Sequence, residues 1–243
     1  MKRILGRLRK ACGEYDMINE GDVIAVGVSG GKDSLVLLRA LSEYRRFSPY
    51  SFEIKALTVD MRFGGRDGEL APIKSFCREL GTEHHIISTD IAEIVFGIRK
   101  EKNPCSLCAR MRRGALMNTA VNLGCNKVAL AHHMDDAVET FFMNLFCEGR
   151  IGCFSPVTVY PDRDVTLIRP LVLAEEREVI SCCKRNGIEP LRSLCPADKN
   201  TAREDIKSWI AQREKTDKGF KERVFGAVRR NGMDGWQIRG SSE

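Results

Sequence analysis

Six consecutive residues, Ser29-Gly30-Gly31-Lys32-Asp33-Ser34, constrain this chain more than any other feature in it. A short β-rich run, Val23 to Val28, leads in, and an apolar helical run, Leu35 to Leu41, leads out. Adjacent glycines between a strand and a helix let the backbone approach an anion closely. The start of the helix adds unpaired N–H groups and the positive end of the helix dipole. Ser29, Ser34 and Lys32 add side-chain donors. The spacing differs from the Gly-x-x-x-x-Gly-Lys-Ser/Thr loop of kinases and GTPases, because Val26 stands where a glycine is required and Asp33 follows Lys32. A plain glycine turn that caps a helix would explain two glycines, but not the whole string in this context.

The rest of the chain repeats the same unit. Glu53 to Val59 reads as a second strand, Leu70 to Leu80 as a helix ended by Gly81, and Glu83 to Ile87 as a third strand. Ala109 to Leu123 is a helix ended by Gly124, Lys127 to Ala131 a fourth strand, and Asp136 to Glu148 a helix ended by Gly149. Thr166 to Ile168 is a fifth strand ahead of Arg169-Pro170-Leu171. From Ala174 onward the segments read helical, with Trp209 and Phe220 as anchors. Alternating strands and helices predict an α/β fold, a parallel sheet with helices on both faces. The expected organisation is a basic helical segment over 1–20, the α/β domain over 21–173 and a helical C-terminal extension over 174–243. Gly64-Gly65-Arg66-Asp67-Gly68 is the most flexible internal loop expected, and Gly240 to Glu243 should fray.

Composition narrows the class. Of 243 residues, 43% are hydrophobic and 30% charged, enough apolar mass for a real core. No run approaches the roughly 18–20 apolar residues that span a bilayer. Met1 to Lys10 is basic, but no apolar stretch or cleavage site follows. A membrane protein and a secreted disulfide scaffold are excluded, and a cytoplasmic protein is expected. The net charge of +6 is unevenly placed. Lys2, Arg3, Arg7, Arg9 and Lys10 form one basic cluster; Arg99, Lys100, Lys102, Arg110, Arg112 and Arg113 form another, opposed only by Glu101. Such clusters attract phosphates, or simply form solvated faces. Ten cysteines without a secretory signal should be mostly small buried apolar residues, and Cys12, Cys77, Cys125, Cys147, Cys153, Cys182 and Cys183 are read so.

Two further constellations carry chemistry. Ala131-His132-His133-Met134-Asp135-Asp136 follows the fourth strand, at the carboxyl end where open α/β sheets bind ligands. Its paired carboxylates suit Mg²⁺, and Asp135 or Asp136 could also cap the helix that follows. Cys105 and Cys108 form a C-x-x-C pair that opens a helix. Such a pair is half a zinc site, a redox pair or part of an iron–sulfur site. The best third thiol is Cys195, within Pro190-Leu191-Arg192-Ser193-Leu194-Cys195-Pro196, with the adjacent Cys182 and Cys183 as the fallback.

Ser29 to Ser34 match the signature SGGxDS, and the chain resembles the PP-loop ATP pyrophosphatase superfamily, with its Rossmann-like, adenine nucleotide α-hydrolase-like fold. The resemblance implies cleavage of ATP between the α- and β-phosphates and activation of a carbonyl oxygen as an adenylate. Carried over, Ser29, Gly30, Gly31, Lys32, Asp33 and Ser34 would cradle the pyrophosphate part of ATP. Asp33 and Asp136 would place Mg²⁺, Val59 and Asp60 would hold the adenosine, and His133 and Asp135 would lie near the phosphates. Cys105 to Gly114, Ala131 to Asp136, Arg169-Pro170-Leu171 and Glu175 to Glu178 are together similar to the tRNA 2-thiocytidine biosynthesis (TtcA) family. That resemblance runs from about Ile18 to about Ala211. It implies a 4Fe-4S cluster on Cys105, Cys108 and Cys195. Arg192 departs from the pattern, since the family would place a cysteine there. The chain also lacks the extra zinc-binding cysteine pairs of thiouridine-forming relatives, which favours cytidine.

The implied activity is ATP-dependent thiolation of C2 of a tRNA cytidine, at position 32 of the anticodon loop. The flipped base presents its C2 carbonyl, O2 attacks the α-phosphate, and Lys32 with the helix dipole stabilises the departing pyrophosphate. Sulfur held on the open iron then displaces AMP; a persulfide on one of the cysteines is the alternative. Arg110, Arg112 and Arg113 would hold tRNA, a cysteine desulfurase would supply sulfur, and a homodimer is expected. A thiouridine synthase or small-molecule sulfurtransferase is the nearest alternative. A lysidine synthetase would need no cysteines. A zinc-stabilised nucleotide-binding protein without catalysis is the reading from another class.

Overall fold

The computed structural model describes residues 1–63, 70–99, 104–192, 194–196 and 202–237. The loop 64–68, Lys100, Glu101 and Lys102 of the second basic cluster, Ser193 and the tail 240–243 lie outside the described residues.

The element order is α1 (Lys2–Glu14), β1 (Asp22–Gly27), α2 (Lys32–Tyr44), β2 (Phe52–Asp60), α3 (Ala71–Glu79), β3 (Glu83–Ser88), α4 (Pro104–Asn122), β4 (Lys127–Ala129), α5 (Met134–Cys147), β5 (Val157–Tyr160), β6 (Val165–Ile168), α6 (Glu176–Arg185), α7 (Ala202–Thr216) and α8 (Phe220–Arg230). The strands form one sheet in the order β3-β2-β1-β4-β6-β5. Ile24 of β1 registers with Ile54 of β2 and with Lys127 of β4, both in parallel. Consecutive strands run outward from β1 to β3, and the chain then returns to β4 on the other side of β1. The carboxyl ends of β1 and β4 therefore flank a topological switch point, where such sheets bind ligands.

Strands buried on both sides read as continuous apolar runs, and β1 does so. On one face Ala25, Leu57, Val128 and Val165 meet Leu116, Met117 and Ala120 of α4. On the other, Ile24, Val26, Ile54, Ala56 and Ile168 pack against α1, α2, α5 and the C-terminal helices. Ile4 and Leu8 of α1, Ile206 and Ile210 of α7, and Trp236 all belong to this second cluster, so both ends of the chain share the core of the middle. Each such aliphatic side chain contributes about 1.5–3 kcal/mol by leaving water.

Four expectations are corrected. The sheet is not wholly parallel: β5 is an antiparallel edge strand on β6. A tight turn through Pro161–Arg163, with Asp164 at φ +51°, joins the two as a hairpin. The helix read over Ala109 to Leu123 is longer at its start: it begins at Pro104 and takes in the C-x-x-C pair, which opens it as expected, because proline suits the first helical turn. Cys147 is exposed rather than buried, since it is the last residue of α5. The first basic cluster is partly used internally: Arg3 and Arg7 pair with Glu178 of α6, Arg7 at 3.2 Å. That contact ties α1 to α6.

Trp236, which no sequence pattern singled out, is fully buried. Its Nε1 donates to the Phe154 carbonyl at 2.7 Å, and Tyr15 and Phe225 meet it edge-on at 6.0 and 5.2 Å. Trp236→Phe is expected to cost about 2–3 kcal/mol, through a small cavity and an unpaired carbonyl. The urea midpoint measures this.

Candidate nucleotide and cysteine site

The loop at the end of β1 is shaped by its own side chains. The Ser29 backbone N–H donates to Ser34 Oγ at 3.1 Å, and Ser34 Oγ donates to the Gly31 carbonyl at 2.9 Å. Gly31 stands at the N-cap of α2 with no side chain satisfying the helix start, so the first N–H groups of α2 are open to an anion. Gly30 has φ +82°. A Cβ there would lie 2.9 Å from Leu191 Cδ1 and 3.1 Å from Ile73 Cδ1. Gly30→Ala is expected to cost about 1–2 kcal/mol from backbone strain alone. The checks are a lower urea midpoint and weakened pyrophosphate binding.

The charged groups of the loop meet those of three other elements. Lys32 Nζ lies 3.0 Å from Asp33 Oδ2 and 3.0 Å from Glu176 Oε1, at the start of α6. Lys207 of α7 reaches the same Glu176 at 2.8 Å. Burial works to raise the Glu176 carboxyl, but hydrogen bonds from Lys207 and Lys32 outweigh it and hold it at about 2. Asp33 Oδ1 is buried with no hydrogen-bond partner. Facing it at 3.8 Å is Nε2 of His133, which is itself buried.

His133 is the N-cap of α5. Its Nδ1 accepts from the Asp136 backbone N–H at 3.4 Å, and the Asp136 carboxylate accepts from the His133 backbone N–H at 2.9 Å. A ring whose Nδ1 accepts carries its proton on Nε2, so a donor points toward Asp33. The cap is thus the imidazole, with Asp136 as the reciprocal partner, rather than Asp135 or Asp136 alone. Asp136 Oδ1 takes Arg203 of α7 at 3.0 Å. Asp135, expected near the phosphates, is used elsewhere: its oxygens accept from the Glu176 backbone N–H at 2.7 Å and from Lys221 at 2.6 Å. It joins α5 to α6 and α8. His132 tilts onto Phe154 at 5.1 Å, and burial lowers its imidazole to about 4.

Four residues missed in the sequence complete this cluster: Glu139, Glu176, Arg203 and Lys207. Glu139 is buried on α5, and its carboxyl is raised to about 7 by burial and by Asp136. Glu176 lies within the Glu175 to Glu178 string that carries part of the resemblance, but nothing there pointed to the phosphate loop; the other three lie in no recognisable string. A buried glutamate one helical turn after Asp136 was the only available signal.

The thiols lie along the same edge of the sheet. Cys105 is exposed and Cys108 buried in the first turns of α4. Burial pushes the Cys108 thiol up, Arg112 opposes it, and the neighbouring Cys195 and Cys105 thiols push it further up. The fold therefore brings Cys105 and Cys195 within electrostatic reach of Cys108. Cys182 and Cys183, the fallback, are buried instead, and the Cys183 thiol donates to the Ile188 carbonyl at 3.1 Å. Cys108 packs with Ile91 and Val95, and its Sγ lies 3.6 Å from Met61 Sδ. Val59, at the end of β2, packs against this cluster too, and the Asp60 carboxylate takes the Arg62 backbone N–H at 2.8 Å. Arg110, Arg112 and Arg113 are exposed on α4.

One contact joins the two constellations. The Leu191 backbone N–H donates to the Gly30 carbonyl at 2.9 Å, four residues before Cys195. Among the described residues no three His, Cys, Asp or Glu side chains converge on the position of a single metal ion. A cubic iron–sulfur cluster makes a different demand, since each thiolate binds its own iron. Three soft sulfur donors beside an apolar wall fit that group. The unpartnered Asp33 Oδ1 is a hard oxygen donor of the kind that fits Mg²⁺.

Comparison with known proteins bears on the family and the fold. Residues 4–214 match the family model of the PP-loop domain. The chain is 37% identical to a tRNA-cytidine(32) 2-sulfurtransferase of Geobacter sulfurreducens, over 93% of this chain and 89% of that one. It is 37% identical to the Pseudomonas putida protein of the same name, over 91% and 82%. Among solved structures it is similar to the U34-tRNA thiolase NcsA from Methanococcus maripaludis with its 4Fe-4S cluster. There the TM-score is 0.77 at 27% identity, covering 95% of this chain and 78% of that one. An NH3-dependent NAD synthetase from Campylobacter jejuni, 15% identical with a TM-score of 0.52, shares the fold. With a matched family model over most of its length and relatives of this identity, the chain belongs to the PP-loop family of tRNA-cytidine(32) 2-sulfurtransferases.

Proposed function

We propose that the chain uses ATP to activate C2 of cytidine 32 in tRNA and replaces the C2 oxygen with sulfur. The observation that carries this is the placement of loop and thiols on one sheet edge, joined by the Leu191–Gly30 hydrogen bond.

In this reading the open N–H groups of α2, Lys32 and the His133 Nε2–H bind the β- and γ-phosphates. Asp33 would hold Mg²⁺ through its unpartnered oxygen. Asp136 is less available, because both its oxygens are engaged. Val59 and Asp60 line the adenosine position. The C2 oxygen of the base attacks the α-phosphorus, the bond to pyrophosphate breaks, and Lys32 with the α2 dipole takes up the charge that develops on the leaving group. Cys105, Cys108 and Cys195 would hold the 4Fe-4S cluster, which when bound supplies the sulfur-transfer chemistry. AMP leaves with the former C2 oxygen. Arg110, Arg112 and Arg113 present an exposed basic face for the tRNA backbone. A cysteine desulfurase as sulfur source, a homodimer and a cytoplasmic location rest on the family resemblance. No helix among the described residues is long and apolar enough to cross a membrane.

The test uses anaerobically purified protein with its iron retained. It is incubated with ATP, Mg²⁺, sulfide and unmodified tRNA, and the digested nucleosides are read by mass spectrometry. 2-Thiocytidine dependent on ATP supports the reading; 2-thiouridine alone would replace the cytidine assignment, and no thiolated nucleoside would overturn it.

A further inference from the structure

Lys207 lies on α7, which no motif in the chain marks. Ile206 and Ile210 of that helix are buried in the main core, which fixes Lys207 above the phosphate loop. Its ammonium lies 2.9 Å from Glu176 Oε1, and Lys32 Nζ lies 3.0 Å from that same oxygen. Two ammonium groups sharing one oxygen are no more than about 6 Å apart. Two like charges so close repel, and a single carboxylate holds them together. A carboxylate presents two oxygens and one negative charge. A pyrophosphate group presents more of both, over a span of similar size.

The surroundings favour exchange of partner over a fixed clamp. Lys207 is 41% exposed and Lys32 30%, so both can turn toward solvent or toward a ligand. Glu176 sits at the first position of α6, where the helix start and its own N–H bond to Asp135 hold its backbone in place. The backbone of Glu176 is therefore anchored, while the long lysine side chains can swing, Lys32 keeping Asp33 as a partner at 3.0 Å. Lys32, Asp33 and the start of α2 are the phosphate-binding groups of the reading above, and Lys207 is within reach of the same anion.

We propose that Lys207 is a second phosphate-binding cation of the nucleotide site, and that Glu176 stands in for the phosphate when no nucleotide is bound. This rests on the ATP reading and adds a residue from α7 to it. On nucleotide binding the two ammonium groups pass from the Glu176 carboxylate to the phosphate oxygens. No covalent bond changes in this exchange. Lys207 then shares with Lys32 the charge that appears on pyrophosphate as it leaves.

Isothermal titration of the full-length, anaerobically purified protein with inorganic pyrophosphate plus Mg²⁺, and separately with adenosine, tests this. Lys207→Met is expected to weaken pyrophosphate binding roughly 10- to 100-fold and to leave adenosine binding unchanged. Lys207→Arg should retain binding to within a few-fold. Glu176→Gln is expected to bind pyrophosphate as well as the parent or better, because the internal competitor has lost its charge. A merely structural ion pair predicts the opposite: Glu176→Gln and Lys207→Met would then weaken binding alike. That result, or Lys207→Met binding pyrophosphate like the parent, would overturn the inference and leave the ATP site intact. A parent protein that binds neither ligand would overturn both.

Discussion

Cys108→Ala is expected to abolish the visible absorbance and iron content of the anaerobically purified protein. The yield of 2-thiocytidine should fall to background, at least about 1,000-fold, as expected when a group required for the chemistry is removed. Cys108 is the most confined of the three thiols, walled in by Ile91, Val95 and Met61. Burial raises its pKa, so the free thiol is protonated and inert. Metal binding is what would deprotonate it. Removing one sulfur atom from a packed wall costs little in stability, so pyrophosphate binding should persist to within about 2-fold. Cys105→Ala, at an exposed position, gives the same readout with no packing cost. Full iron and full thiolation in both variants would sink the cluster assignment.

Asp33→Ala is expected to lower the rate of AMP formation about 100- to 10,000-fold while leaving the fold as stable as before or more so. The expectation comes from its two oxygens. Oδ2 holds Lys32 at 3.0 Å, and Oδ1 is buried with no partner. A buried acceptor without a donor costs about 1–3 kcal/mol, so the fold gains nothing from Oδ1. Lys32 keeps Glu176 as a partner when Asp33 is lost. Stability and activity should therefore part company, the mark of a group held for a ligand. The checks are the urea midpoint and a labelled-ATP assay for AMP. A variant that loses stability in step with activity would assign Asp33 to the structure instead.

What was legible beforehand follows from how local each feature is. Ser29 to Ser34 act through consecutive backbone groups, so their order in the chain is their order in space. The central strand β1 was readable because burial on both faces demands an unbroken apolar run. β5 was not, because Val157 to Tyr160 lies at an edge, with Val159 exposed, and carries no such demand. His133 as an N-cap was hidden by the better-known capping chemistry of its aspartate neighbours. Asp135 belongs to the recognised string, yet its contacts with Glu176 and Lys221 arise only when α6 and α8 dock. Arg203 and Lys207 were invisible for the same reason, since their neighbours at residues 136 and 176 are set by packing alone. Cys195 could be named as a ligand, but its approach to Cys108 comes from the fold.

The hydrogen bond from Leu191 to Gly30 acts as a leash. Four residues separate Leu191 from Cys195, and a fully extended chain spans at most about 3.6 Å per residue. The Cα of Cys195 is therefore confined to roughly 14 Å from that of Leu191, whatever path the chain takes between them. In the proposed reaction the third thiol would therefore stay close to the phosphate loop, and sulfur delivery would need no swinging arm or travelling domain.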